Sequence, residues 1–191
     1  DGQSGIRDPR GMMGIRLEVD TQIIQGLSSQ IKNITKAIYR TGLEIEDLVL
    51  SILGTSEAVL NSRQKQLGCA VVSIGSSTTS LAVFEEGDVL HTAILPIGSE
   101  HITSDIAIGL RISIDLAERV KLEYGSAISK DINKRDEVNI GELGGGENNF
   151  VSKKYISEII EARAEEIFSR VDAELKKIDE AYETKRDLKH D

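Results

Sequence analysis

The segment Val71-Val72-Ser73-Ile74-Gly75-Ser76-Ser77-Thr78-Thr79-Ser80 holds most of the chemical content of this chain. A β-branched run enters a stretch of Gly, Ser and Thr and leaves as a second such run, the pattern of strand, tight turn and strand. Successive N–H groups of such a turn can converge on an anion. Taken alone, a hairpin with small turn residues is structural in most proteins, where it only reverses the chain. Further along, Glu118 and Lys121 stand three residues apart, so on a helix they are neighbours that either pair or jointly grip a ligand. Without a ligand they make an exposed ion pair worth a few tenths of a kcal/mol. His91 and His101 have no Ser or Cys set with them as a nucleophile, which leaves surface or hydrogen-bonded structural roles. The single Cys69 begins an apolar strand and reads as a small buried hydrophobe. It cannot form an internal disulfide, and no Cys and His cluster has zinc spacing. Tyr39, Tyr124, Tyr155 and Tyr182 are scattered and make no stacking platform for bases.

The elements that must position these residues follow from periodicity. Between Gly14 and Gly26, Ile15, Leu17, Val19 and Thr21 alternate with Arg16, Glu18, Asp20 and Gln22, which predicts a half-buried strand. Ile31, Ile34, Ala37 and Ile38 predict a helix, with Ser28 or Ser29 as cap and Gly42 beyond its end. Leu48 to Leu53 reads as a short buried strand, and Ser56 to Leu67 as a weaker helix ending at Gly68. Cys69 to Ile74, Thr79 to Phe84 and Val89 to Leu95 are β-rich and joined by short turns, so an antiparallel meander follows. Helical patterns resume at Ile102 to Leu110 and Ile114 to Tyr124, the second closed by Gly125. The polar stretch from Ser126 to Asn149 holds one short strand, Glu137 to Ile140. Its Gly144-Gly145-Gly146 lacks a preceding apolar strand and is followed by Glu147, so it reads as a flexible loop and not as a phosphate loop. Ile156, Ile159, Ile160, Ala164, Ile167, Val171, Leu175 and Ile178 keep one apolar stripe, which predicts a long amphipathic helix packed on its own domain.

Composition narrows the function. With 191 residues, 39% of them hydrophobic, the chain is long enough to bury a core as one domain or two small ones. A net charge of −9, from 23 Lys and Arg against 32 Asp and Glu, argues against a reader of nucleic-acid phosphates. No apolar run approaches the roughly 20 residues of a membrane-spanning helix, and the start lacks a signal-peptide layout. A reducing cytoplasm is the expected compartment. The opening Asp1-Gly2-Gln3-Ser4-Gly5 runs straight into patterned sequence without an initial Met, which leads us to expect an incomplete chain.

Three blocks, in order, carry a resemblance. They are Asp8-Pro9-Arg10-Gly11-Met12-Met13-Gly14-Ile15-Arg16-Leu17-Glu18-Val19, then Thr92-Ala93-Ile94-Leu95-Pro96-Ile97-Gly98 with Thr103-Ser104-Asp105-Ile106-Ala107, then Ala117-Glu118-Arg119-Val120-Lys121-Leu122-Glu123-Tyr124-Gly125. Together with the Val71 to Ser80 segment they resemble the FtsA family of bacterial cell-division proteins, within the actin and heat-shock ATPase superfamily. The resemblance implies an α/β fold with an actin-like, ribonuclease H-like core, a β-meander and part of the FtsA-type inserted subdomain. It divides the chain into the second half of that subdomain at 1–55, a core subdomain with the second phosphate loop at 56–130, and the start of the adjoining subdomain with the long helix at 131–191. It implies ATP with Mg²⁺ in a cleft, filament formation by self-association, and recruitment of the FtsZ ring and other division proteins. Membrane attachment would run through a C-terminal amphipathic helix, at the inner face of the cell membrane at the division site. The residues it assigns to the nucleotide are Gly75, Ser76, Ser77, Thr78 and Gly98 at the phosphates, and Glu118 and Lys121 at ribose and base.

The chain departs from the resemblance at the chemistry. Where the family reads Asp-Ile-Gly-Gly-Gly-Thr, this chain has Ser73, Ile74, Gly75, Ser76, Ser77 and Thr78, and Ser80 also replaces an acidic residue. A serine hydroxyl lacks the charge and reach to organise water on Mg²⁺. Nothing before Asp8 supplies the first phosphate loop, and Lys185-Arg186-Asp187-Leu188-Lys189-His190-Asp191 supplies no adenosine loop. The expectation is a noncatalytic division scaffold with impaired nucleotide binding. An ATP-binding actin-like ATPase, of FtsA or pilus-assembly type, is the alternative, and a sugar kinase lacks an Asp base in a sugar-site context.

Overall fold

In a computed structural model, residues 6, 8–19, 21–144 and 147–187 are described, and the chain forms two compact units, 1–48 and 49–191. Asp1 to Gly5, Asp20, Gly145, Gly146 and the last four residues, all named above, lie outside the described residues.

The first unit begins with a turn in which the Met12 N–H donates to the Pro9 carbonyl at 3.1 Å. Gly11 sits there at φ +83°, the left-handed third position that a type II turn requires. The strand predicted for 14–26 is not formed: the described residues there are irregular, with Ile15, Leu17 and Val19 exposed. Alternation supplies one apolar face, but a strand also needs a neighbour for its N–H and C=O groups, and no described strand lies beside this one. Helix α1, Ser28–Tyr39, is present as its spacing predicts, though Leu27 precedes it and no side chain caps it.

The second unit opens with a correction. The apolar run Leu48 to Leu53, predicted as a strand, instead leads into helix α2, Ser51–Val59. A six-residue apolar run has no period that separates strand from buried helix. Ile52 and Ser56, one turn apart, are both buried, and the Ser56 hydroxyl donates to the Ile52 carbonyl at 2.7 Å. The predicted helix 56–67 is broken at Leu60, and α3, Ser62–Leu67, restarts from a reciprocal cap between Asn61 and Gln64.

The meander is as expected: β1 Cys69–Ile74, β2 Thr79–Glu85 and β3 Asp88–Leu95 pair antiparallel in the order β1-β2-β3. Val71, Ala82 and Phe84 from its strands close a core with Ile52 of α2. Helices α4, Ser99–Leu110, and α5, Ile114–Tyr124, follow, with a 3₁₀ turn at Ser129–Asp131. The strand predicted at 137–140 is β4, Glu137–Asn139, and it pairs with an unforeseen β5, Phe150–Ser152. Between them runs the short helix α6, Ile140–Gly144. Helix α7, Lys153–Asp187, spans 35 residues and buries Ile156, Ile160, Ile167 and Val171. A second core joins Ile106 and Ala107 of α4, Ala117 and Val120 of α5, Ile140, and Ile156 and Ile160 of α7. The long stripe therefore packs on its own domain, as predicted.

Candidate functional site

The 75–78 hairpin loop is built by the β1 to β2 register, in which Ile74 faces Thr79 and Ser73 faces Ser80. The loop is closed by the Gly75 N–H, which donates to the Thr78 carbonyl at 2.8 Å. It is pressed onto the start of α4. The Ser99 N–H donates to the Gly75 carbonyl and the Glu100 N–H to the Ser76 carbonyl, each at 2.9 Å. These are two of the first-turn donors that a helix leaves unsatisfied, and the loop carbonyls take them. The approach is so close that a Cβ on Gly98 would stand 2.3 Å from the Ser76 oxygen and 2.5 Å from the Gly75 oxygen. Gly98 is therefore required for contact alone, since its φ of −164° is ordinary extended backbone. Buried Thr79 ties the end of β3 to the loop by donating from Oγ1 to the Ile97 carbonyl at 2.8 Å.

Five of the predicted site residues, Gly75, Ser76, Ser77, Thr78 and Gly98, thus meet in one place. Glu118 and Lys121 meet in a second. Lys121 Nζ donates to Glu118 Oε2 at 2.6 Å and to Thr103 Oγ1 at 2.8 Å, and the Thr103 hydroxyl donates to the same carboxylate oxygen at 2.6 Å. The Lys121 hydrogen bond, then that of Thr103, holds the Glu118 carboxyl below the usual carboxylate range. Thr103 lies one turn after Ser99 on α4, so this helix carries both the loop contact and the partner of the α5 pair.

Two participants were not found by sequence reasoning. Thr103 falls within one of the resembling blocks, where neither its type nor its spacing marks it. Glu100 accepts from Ser77 Oγ at 2.8 Å and from Ser76 Oγ at 3.3 Å. Its one sequence signal is an acidic residue in the first turn of α4, a common placement that favours the helix dipole. His101, expected in a structural role, has one: its Nδ1 accepts from the Gly98 N–H at 3.1 Å. His91 of β3 approaches Glu174 of α7 at 3.8 Å.

The loop keeps its close backbone packing on α4 but carries hydroxyls where its flanking strands face one another. Ser73 and Ser80 face one another across β1 and β2, so two hydroxyls stand at the positions where the resemblance leads one to expect acidic groups. Among the described residues no three His, Cys, Asp or Glu side chains gather as metal ligands.

Residues 70–189 match the family model described as cell division protein FtsA, and residues 1–25 match the SHS2 domain inserted in FtsA. The cell division protein FtsA of Pseudomonas aeruginosa is 36% identical over 177 residues, covering 93% of this chain and 42% of that protein. FtsA of Bacillus subtilis is 38% identical over 176 residues, covering 92% of this chain and 40% of the relative. The chain therefore spans about two fifths of the length of these relatives. A crystal structure of MreB 5 of Spiroplasma citri bound to AMPPNP superposes with a TM-score of 0.61 at 20% identity, over 79% of this chain and 48% of that one. That likeness gives the fold, which is α/β and actin-like. On the sequence matches, which cover nearly the whole chain, it belongs to the FtsA family of cell-division proteins.

Proposed function

We propose that the chain is part of an FtsA-type scaffold that links the FtsZ ring to the membrane through protein contacts, with a weakened nucleotide site in place of an ATPase centre. The observation that carries this reading is the Ser73 to Ser80 pairing beside a loop that keeps its close packing on α4. The loop and Gly98 would lie at the phosphates of ATP, and Glu118 and Lys121 at ribose and base. ATP, with its Mg²⁺, supplies the charge to be held, while this chain offers hydroxyls where hydrolysis needs a carboxylate. The scaffold works in the cytoplasm at the inner face of the membrane at the division site, in contact with FtsZ, other division proteins and further copies of itself.

An ATP-binding actin-like ATPase is the second reading, and it is favoured by the Glu118, Lys121 and Thr103 cluster, which keeps a carboxylate and an ammonium together beside α4. The two readings separate in the full-length protein. Vesicle co-sedimentation with FtsZ is expected to proceed without nucleotide, and steady phosphate release from Mg·ATP is expected to be absent. Phosphate release that disappears in Ser73→Ala would establish the ATPase instead.

A further inference from the structure

We propose that Glu100 is a built-in competitor for phosphate at the 75–78 loop, an autoinhibitory contact that must swing away before an anion can bind. This rests on reading the loop as a nucleotide site.

Glu100 follows the loop by more than twenty residues, and its own N–H, bonded to the Ser76 carbonyl at 2.9 Å, fixes where its side chain starts. From there Oε2 reaches back to accept both loop hydroxyls, Ser77 at 2.8 Å and Ser76 at 3.3 Å. A serine hydroxyl has one proton to donate, and a carboxylate oxygen and a phosphoryl oxygen are rival acceptors for it. While Glu100 holds both protons, an arriving phosphate receives neither and meets a like charge within a few ångströms. The carboxylate is exposed, so it can rotate into water without disturbing the core. Glycine at positions 76 and 77 would give Glu100 nothing to hold, so the two serines and the glutamate work as one device. Removing the charge relieves a repulsion that, for two unit charges about 4 Å apart in water, corresponds to roughly a fivefold change in affinity.

The test uses the full-length protein with Glu100→Gln, which keeps size and removes charge, titrated with Mg·ATP, adenosine and pyrophosphate. Binding of Mg·ATP and of pyrophosphate is expected to tighten about fivefold at low salt, less at high salt, with adenosine unchanged. Ser76→Gly with Ser77→Gly, which frees the carboxylate, is expected to tighten both anions as well. If Glu100→Gln leaves pyrophosphate affinity unchanged or weaker, the competitor role is wrong. If neither adenosine nor Mg·ATP binds any variant, the nucleotide reading falls, and the pyrophosphate titration alone decides the role of Glu100.

Discussion

Arg163 of α7 grips the Asp105 carboxylate of α4 with both arms of its guanidinium, Nε to Oδ2 at 2.6 Å and Nη2 to Oδ1 at 2.9 Å. Both side chains are about three-quarters buried, and Arg163 also pairs with Glu166 one turn on. A fork of this kind fixes two helices in register and in rotation. Truncation in Arg163→Ala is expected to cost about 1–2 kcal/mol in urea unfolding. Arg163→Lys should recover less than half of that, because a point charge cannot fork. An unchanged midpoint in Arg163→Ala would mean that apolar packing alone joins α4 to α7.

The Glu118 carboxyl, held below its usual range by Lys121 and then Thr103, makes stability depend on acid. Its folded value lies under the unfolded one. Its contribution is therefore complete above the unfolded value and is lost as pH falls through the folded value. The stability gap between wild type and Glu118→Gln should be open at about pH 7 and should close towards about pH 3. A gap of constant size over that range contradicts the assignment.

Two glycines should respond in opposite directions to the same methyl group. Gly98→Ala pushes a Cβ to 2.3 Å from a backbone oxygen, where no side chain can yield, and should cost about 2 kcal/mol. Gly54 lies exposed within α2 with nothing within 4 Å of its Cβ position. Gly54→Ala should therefore stabilise by about 0.5–1 kcal/mol through helix propensity. Thermal unfolding of the two variants measures both, and a stable Gly98→Ala protein would show that the loop can lift from α4.

Arg16 and Glu18 form an exposed ion pair beside the exposed Ile15, Leu17 and Val19. Such a row of apolar side chains between charges suits an interface, and reversal of either charge is expected to alter self-association or recruitment of division proteins. Sedimentation velocity and pull-down with division proteins provide the readout. Wild-type behaviour in both single variants would remove this segment from the contact surface.

The meander, α4, α5 and α7 were legible because each has a long enough pattern of one period and a turn or cap at its end. Cys69 to Leu95 is marked by two short polar turns, and Ile156 to Ile178 by one unbroken stripe. Ile15, Leu17 and Val19 misled because alternation reports one face of a strand and says nothing of a hydrogen-bonding neighbour. Leu48 to Leu53 misled because it is too short to show a period. At the site, the residues on one turn or one helix face were found. Glu100 and Thr103 escaped because their partners, Ser76 and Ser77 for one and Glu118 and Lys121 for the other, come from other elements that only the tertiary fold brings near.

Helix α7 touches both halves of its unit: Ile156 and Ile160 sit in the core with α4 and α5, and Glu174 stands beside His91 on the meander. At 1.5 Å per residue those contacts lie about 27 Å apart along a stiff rod. A tilt of about 5° at the helical end sweeps the far end through about 2 Å, a distance comparable to the whole reach of a polar contact. The rod is thus a lever arm with its short throw at the helices and its long throw at β3. A rearrangement of α4 against α5 that tilted α7 would reach the strand next to the loop-bearing hairpin magnified by length alone.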